Sequence, residues 1–338
     1  MKIEYDTKLD FADVLIRPKR SELSSRKEVD LIREIEFKNS KRTWSGIPIM
    51  TSNMDTVGTF EMYNVLSKQK LITCFHKHYN LEDYPDNLDP NYYMLSTGIS
   101  DNDWIKIQKL IEKLNPYFLC IDVANGYMSS LSIFVKKVRN KYPNITIACG
   151  NVVSREMVED LILNGVDIVK IGIGNGSVCT TRLQTGVGMP QLSAILECSD
   201  AAHGLGGHII SDGGINVPGD LGKALGGGSD FIMMGSMFSG HDESAGEVIE
   251  ENGEKYKLYY GMSSKTAMTK YSGGVAKYRS SEGKAVKVKY KGCVINTIED
   301  MLGGLRSTCT YIGAKRIKDI PKCTTFLKVN NQVNRLFN

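Results

Sequence analysis

Cys179 is followed directly by Thr180, Thr181 and Arg182, and far downstream an acid, Glu282, stands in Tyr278-Arg-Ser-Ser-Glu-Gly283. A free thiol with a pKa of roughly 8.5 is only about a few per cent thiolate at neutral pH, so a nucleophilic cysteine needs exposure and helping dipoles, cations or a base. A threonine hydroxyl relays a proton if a carboxylate drains it, and Thr181 with Glu282 offers that pair. The spacing also admits a plainer pattern, in which Cys179 fills a turn and Glu282 is a solvated surface acid. Cys179 nonetheless differs from Cys74, Cys120 and Cys149, which lie inside apolar runs where cysteine behaves as a small, unreactive hydrophobe.

Two other groups of residues could do chemistry. Ser211-Asp-Gly-Gly214 and Met234-Gly-Ser236 each follow an apolar run, and paired glycines let backbone N–H groups approach an anion, although a glycine pair can equally make a tight turn. Asp212 cannot itself hold a phosphate, so it is expected to face a ribose hydroxyl pair. His76 and His78, at i and i+2, share one side of a strand if they lie in one, and such a pair can ligate a catalytic metal given further ligands. His203, His208 and His241 are badly placed to supply them. Gly172-Ile-Gly174 and Gly174-Asn-Gly176 lead into Ser-Val-Cys rather than into a helix, so no Gly-x-Gly-x-x-Gly dinucleotide unit is present and a nicotinamide would bind in another way.

The elements that must position these residues are legible as strand-length apolar runs. They are Ile47 to Asn53, Leu71 to Phe75, Tyr93 to Ser96, Phe118 to Val123, Ile145 to Cys149, Ile168 to Ile173, His208 to Ser211 and Phe231 to Met234. Near-continuous hydrophobic strands are those covered on both faces of a parallel sheet. Helical segments are expected at Thr59 to Gln69, Ser129 to Lys141, Ser154 to Leu163 with Ser154 as N-cap, and Pro190 to Ala202. Eight alternating units favour a closed (β/α)8 TIM barrel over an open doubly wound sheet. Chemistry then belongs at the C-terminal strand ends, where the residues above fall. The chain reads as a single barrel domain over 1–338 with an excursion over 248–292, a lid or flap, in which Lys255 to Tyr260 and Ala285 to Tyr290 alternate as a hairpin does.

Bulk properties exclude several alternatives. The 42 basic and 38 acidic residues leave a charge of only +4, which marks no nucleic-acid or membrane surface. No window approaches the roughly 18 apolar residues of a membrane span, and the polar start lacks a signal peptide's apolar stretch, so a soluble cytoplasmic protein is expected. Eight scattered cysteines without a Cys-x-x-Cys pair suggest free thiols rather than disulfides or zinc.

The set Gly174-Asn-Gly-Ser-Val-Cys-Thr-Thr-Arg182, Ser211-Asp-Gly-Gly-Ile215, Tyr260-Gly-Met-Ser-Ser264, Ser281-Glu-Gly283 and Tyr290-Lys-Gly292 resembles the IMP dehydrogenase/GMP reductase family, from Leu9-Asp-Phe-Ala-Asp-Val14 to Leu305-Arg-Ser-Thr-Cys-Thr310. Asn53-Met-Asp-Thr-Val-Gly-Thr-Phe60, His76-Lys-His-Tyr79 and Asp122-Val-Ala-Asn-Gly-Tyr127 are similar to its reductase branch. No paired regulatory module interrupts the chain after the second strand, and the excursion lacks the Arg-Tyr dyad with which the dehydrogenases activate water.

The resemblance implies NADPH-dependent reductive deamination of GMP to IMP and ammonia. Cys179 would attack C2 of the guanine and form a thioimidate, with Thr181 and Glu282 protonating the departing ammonia. Asp212, Gly213, Gly214, Gly235 and Ser236 would hold ribose and phosphate. Gly261, Met262 and Ser263 would close on the base with Arg279, Ser280, Ser281, Glu282 and Gly283. The cofactor would meet Lys77, Asp122, Val123, Ala124, Ile173, Gly174, Met262, Tyr278 and Arg279, and also Ser25, Arg26 and Ser307, Thr308, Cys309 and Thr310, partly across a subunit boundary of a homotetramer. A potassium ion would sit on carbonyls of Gly174, Gly176 and Cys179, with Arg182 adjoining.

Two residues depart from the pattern: Asn175 replaces a usual proline, which would loosen the cysteine loop, and Ser236 replaces a usual glycine at the phosphate corner. The same residues leave open an IMP dehydrogenase that oxidises IMP to XMP with NAD, an FMN-dependent barrel oxidoreductase, or a purine-nucleotide sensor that binds without turning over.

Overall fold

A computed structural model describes residues 3–330. Its centre is an eight-stranded parallel sheet of β1 (Ile49–Thr51), β2 (Thr73–Cys74), β3 (Tyr93–Thr97), β4 (Phe118–Asp122), β5 (Thr146–Val152), β6 (Ile168–Ile171), β7 (His208–Asp212) and β8 (Phe231–Met234). Each strand from β2 to β8 pairs with its sequence neighbour, and β8 pairs back onto β1. A parallel bridge between Met50 and Ile72 joins β1 to β2, so the sheet closes on itself as a (β/α)8 barrel.

Period-two alternation sorts the strand residues into two cores. Met50, Cys74, Met94, Phe118, Cys120, Ala148, Ile168, Ile210, Phe231 and Met233 belong to one buried cluster with Ile35, Phe37 and Trp44, which fills the barrel interior. The intervening Ile49, Leu95, Leu119, Ile121, Ile147, Val169, Ile171, Ile209 and Ile232 belong to the second, which lies between strands and helices. This is why the strands read as continuous apolar runs. Phe37 and Trp44 come from the N-terminal hairpin Arg33–Glu36 with Thr43–Gly46, and their rings pack on Phe118 and Phe231 across the barrel floor.

The surrounding helices are α1 (Phe60–Leu66), α2 (Asp101–Leu114), α3 (Ser129–Lys141), α4 (Arg155–Leu163), α5 (Thr181–Thr185), α6 (Gln191–Gly204), α7 (Pro218–Gly226), α8 (Lys265–Ser272) and α9 (Val294–Ile312). The start of α2 shows the local logic. Ser100 Oγ accepts the Asp103 amide at 3.1 Å while Asp103 Oδ2 accepts the Ser100 amide at 3.2 Å, a capping box that satisfies two otherwise unpaired donors. Ser154 occupies the N-cap of α4 as expected, but its side chain accepts no capping hydrogen bond. No helix among the described residues is long and apolar enough to cross a membrane.

The excursion after β8 carries a three-stranded antiparallel sheet, β9 (Ile249–Glu251), β10 (Glu254–Tyr260) and β11 (Ala285–Lys289). The alternating segments therefore do pair, with Tyr260 opposite Ala285 and Tyr256 opposite Lys289. This register sets α8 and residues 273–284 as one long loop between paired strands.

Candidate active site

The C-terminal strand ends surround a cavity of about 290 Å³ lined by Cys179, Thr181, Asp212, Gly214, Ser236 and Glu282, among others. The excursion brings Glu282 there by backbone pairing. The Thr180 amide donates to the Glu282 carbonyl at 2.8 Å, the Lys284 amide to the Val178 carbonyl at 2.9 Å, and the Glu282 amide to the Ser263 carbonyl at 3.1 Å. Residues 281–284 are thus threaded between the cysteine loop and residues 261–264. A Cβ on Gly283 would lie 2.9 Å from the Ser264 amide nitrogen, so this threading needs a residue without a side chain.

The consequence is a relay of three side chains. Cys179 Sγ lies 3.2 Å from Thr181 Oγ1, and Thr181 Oγ1 donates to Glu282 Oε2 at 2.8 Å. Cys179 is partly exposed, whereas Cys74, Cys120 and Cys149 are buried, and burial pushes the Cys74 and Cys149 thiols well above their usual range.

Asp212 ends β7 beside Gly213 and Gly214, both in the left-handed region at φ +83° and +80°. A register shift in β5 between Gly150 and Val152 turns Asn151 towards it, and Asn151 Nδ2 donates to Asp212 Oδ2 at 2.9 Å and to the Gly172 carbonyl at 2.8 Å. Asn175 Nδ2 donates to the Asp212 carbonyl at 2.8 Å. Asn175 therefore ties the cysteine loop to the end of β7. Ser236 Oγ donates to the Ile215 carbonyl at 3.3 Å, which links the ends of β7 and β8.

A second cavity of about 190 Å³ adjoins the first and shares Asn53, Asp122 and Met262 with it. Lys77 and Arg279 line this second space, while Val123, Ala124, Ile173 and Gly174 line the first. Gly261, Met262 and Ser263 also face the first cavity. Neither cavity is lined by Ser280, Ser281 or Gly283; Ser281 Oγ instead donates to the carbonyls of Ser263 and Gly283, both at 3.1 Å. Tyr278 is 92% exposed. Ser25, Arg26, Ser307, Thr308 and Thr310 lie outside both cavities, with Arg26 Nε donating to Ser307 Oγ at 2.7 Å. Cys309 is wholly buried in the helical core, where it cannot contact a ligand.

The loop expected to hold a cation has carbonyl oxygens of the right chemistry. Gly176 accepts the Cys179 amide at 3.0 Å, and the hydrogen bonds of the described residues go to neither the Gly174 nor the Cys179 carbonyl. Arg182 donates to the Met189 carbonyl at 2.7 Å and packs its stem on Gly174. A guanidinium has no lone pair to offer, so Arg182 supports the loop and is no ligand through its side chain.

His76 and His78 do not form a metal pair. β2 stops at Cys74, so both follow the strand in a turn where i, i+2 alternation does not apply. The His76 ring stacks on Tyr79 at 3.9 Å and the His78 ring on Tyr271 of α8 at 3.5 Å. Burial pushes His76 from the usual 6.5 down to about 4, so it is neutral at pH 7. The unfolded chain protonates it near pH 6.5. The stability conferred by the neutral ring is therefore complete above that pH and declines as the pH falls towards about 4. We expect the thermal midpoint of His76→Gln to fall less than that of the wild type between pH 6.5 and 4, measured by calorimetry; parallel curves would refute the assignment.

Two groups stand out that their local sequence did not single out. Lys170 is 1% exposed at the top of the barrel interior, where it pairs with Asp122 and lies 3.5 Å from both Asp212 Oδ2 and Asn53 Oδ1. Burial opposes its charge, but Asp122 and Asp212 raise its pKa well above the usual lysine range. The available signal was a lysine inside the otherwise apolar run Ile168 to Ile171. Asp55 accepts Tyr260 Oη at 2.7 Å, Lys270 Nζ at 2.9 Å and Tyr271 Oη at 2.6 Å on one oxygen, which pins α8 and the end of β10 to the loop after β1. Burial disfavours that carboxylate, yet these three donors hold its pKa below the usual value.

A closed (β/α)8 barrel with a thiol, a hydroxyl, a carboxylate and glycine turns at its C-terminal face defines an enzyme of the barrel class. The model of the IMP dehydrogenase / GMP reductase domain matches residues 91–335. The chain is 58% identical to GMP reductase 1 of Mus musculus over 344 residues, covering 99% of each chain. It is 57% identical to the GMP reductase of Salmonella typhi over 346 residues, covering 100% of this chain and 99% of the relative, and 57% identical to GMP reductase 2 of Homo sapiens over 343 residues, covering 99% and 98%. The chain belongs to the IMP dehydrogenase/GMP reductase family.

Proposed function

We infer that the chain reductively deaminates GMP, converting GMP, NADPH and two protons to IMP, NADP+ and ammonium. The observation that carries this reading is the Cys179–Thr181–Glu282 relay at 3.2 and 2.8 Å, assembled by the backbone pairing of residues 281–284. Cys179 Sγ adds to C2 of the guanine as its proton moves to Thr181 and Glu282. The same pair returns a proton to the departing amine, the C2–N bond breaks, and a thioimidate joins Sγ to C2. NADPH supplies hydride to C2 when bound. The C–S bond then breaks and the thiolate is regenerated.

In this reading Asp212 accepts the ribose hydroxyls and the glycine turns after β7 and β8 offer amides to the phosphate, which their shared lining of one cavity supports. The adjoining cavity at Lys77, Asp122 and Met262 suits the nicotinamide end of the cofactor. The excursion acts as a lid over the thioimidate, excluding the water that would convert it to XMP. The carbonyls of Gly174, Gly176 and Cys179 provide a cage for potassium, which would fix the bend presenting Cys179. The patch at Arg26 and Ser307, outside both cavities, suits a cofactor held partly by a neighbouring copy in a homotetramer. Free thiols fit the reducing cytoplasm.

The test is to supply NADPH and GMP and follow absorbance, ammonia and IMP together. Oxidation that needs GMP and yields all three products in equal amounts is expected; NADPH loss without ammonia, or XMP formed from IMP and NAD in its place, overturns the reading. Glu282→Gln should lower kcat by about 10²-fold, the low end for general acid–base catalysis, with KM changed far less.

A further inference from the structure

At the N-terminal end of the barrel, opposite the cleft, three potential ligands converge. His203 lies in the last turn of α6, His208 is the first residue of β7, and Asp230 immediately precedes β8. Their ligand atoms lie within 4.8 Å of one another. His203 Nε2 is 2.8 Å from Asp230 Oδ2, and His208 Nδ1 is 3.4 Å from Asp230 Oδ1.

The hydrogen bonds around this cluster specify its protons. His208 Nε2 faces the Glu36 carbonyl at 3.2 Å, and a carbonyl only accepts, so that nitrogen carries the hydrogen. In the neutral ring Nδ1 is then a bare lone pair. It is buried, makes no hydrogen bond, and points at a carboxylate that is only 1% exposed. Asp230 Oδ1 already meets Arg33, so the unmatched group is the buried His208 Nδ1, which calls for an electron-pair acceptor beside the carboxylate.

The remaining contacts are those that orient metal ligands. An imidazole that donates its far N–H to a backbone carbonyl, and a carboxylate held by outer donors, are the usual surroundings of a bound metal. Arg33 Nη2 at 2.5 Å from Asp230 Oδ1 and the Ile209 amide at 3.0 Å from Oδ2 are such donors. Around a tetrahedral zinc with bonds of roughly 2.0–2.2 Å, adjacent ligand atoms sit about 3.3 Å apart, near the 3.4 Å from His208 Nδ1 to Asp230 Oδ1; the set spans up to 4.8 Å and would draw in around an ion.

We propose that His203, His208 and Asp230 form a site for Zn²⁺ or a similar borderline divalent ion, which staples α6, β7 and β8 at the barrel end remote from the cleft. Two imidazoles and a carboxylate select such an ion over magnesium or calcium, which prefer all-oxygen sets. The His203 side chain is 45% exposed and gives the ion an entry path, with a fourth position left for water. The Arg33 charge, on the same carboxylate oxygen that faces His208, lowers the affinity.

The experiment titrates Zn²⁺ by calorimetry, and Co²⁺ by its visible absorption, into the full chain, His203→Ala and Cys179→Ala. His203 is half exposed, so its replacement leaves the core packing intact. The expected result is one ion per wild-type chain, at least tenfold weaker binding to His203→Ala, unchanged binding to Cys179→Ala, and a Co²⁺ spectrum without a thiolate charge-transfer band. Zn²⁺ should also raise the thermal midpoint of the wild type but not of His203→Ala. Equal binding to wild type and His203→Ala, loss of binding with Cys179→Ala, or no binding at all overturns the proposal; the last would mean that a proton on His208 fills the gap.

Discussion

Cys179→Ala should reduce turnover by about 10⁴-fold or more while GMP still binds within about threefold of wild type. On the mechanism proposed above, loss of the nucleophile removes the covalent route altogether, and in enzymes whose catalytic residues act as a unit one such deletion costs nearly as much as deleting all of them. A factor of 10⁴ corresponds to about 5.5 kcal/mol of transition-state stabilisation. Binding is spared because the side chain is small and Asp212, Ser236 and the glycine turns are untouched. Calorimetric titration with GMP, paired with single-turnover assays of ammonia release, separates the two quantities. Mass spectrometry of quenched reactions should show a purine adduct on Cys179 in the wild type and none in the variant. Turnover within tenfold of wild type would remove the covalent mechanism.

Lys170→Met should cost about 2 kcal/mol of stability, less than the roughly 3–5 kcal/mol for a fully buried pair, because the Asp122 side chain is 37% exposed and water screens the charge left behind. The volume is conserved, so the loss is electrostatic. Burial disfavours the charge on Asp122, and Lys170 is the foremost group that holds its pKa below the usual range; without it an anion stands in the barrel mouth with its main counterion gone. The thermal midpoint should fall by roughly 3 °C. The double change Lys170→Met with Asp122→Asn should recover part of that loss, because it removes the stranded charge as well. Lys170→Met with wild-type stability would show that the lysine does not hold the carboxylates. A second readout is the GMP KM, which should rise as Asp212 loses one of its two orienting partners.

The barrel was legible because parallel strands buried on both faces leave runs such as Phe118 to Val123 that no amphipathic helix would show. The strand ends followed from it, and so did the glycine turns after β7 and β8. The relay was legible only in part: spacing left Cys179 and Glu282 as either partners or bystanders, and their meeting depends on a backbone pairing between segments about a hundred residues apart. The partners of Lys170 were hidden for the same reason. They come from the loop after β1 and from β4 and β7, and nothing local to Ile168 to Ile171 reveals which carboxylates it will meet. The stacking of His76 on Tyr79 and of His78 on Tyr271 was not legible, because Tyr271 is nearly two hundred residues away on α8. Residues 33–46, which showed no repeat, became the floor of the barrel because Phe37 and Trp44 found Phe118 and Phe231.

That aromatic floor plugs the barrel at the end remote from the cleft. With Phe37 and Trp44 fully buried beneath the packed interior residues, ligands bind above that plug at the C-terminal face, and on the proposed function the one seated deeper leaves later. On the functional reading above, the order of departure is set by stacking depth and not by affinity alone. Initial-rate kinetics in the presence of each product therefore report on this geometry: the product released last competes directly with the substrate that enters first, whereas the product nearer the mouth does not.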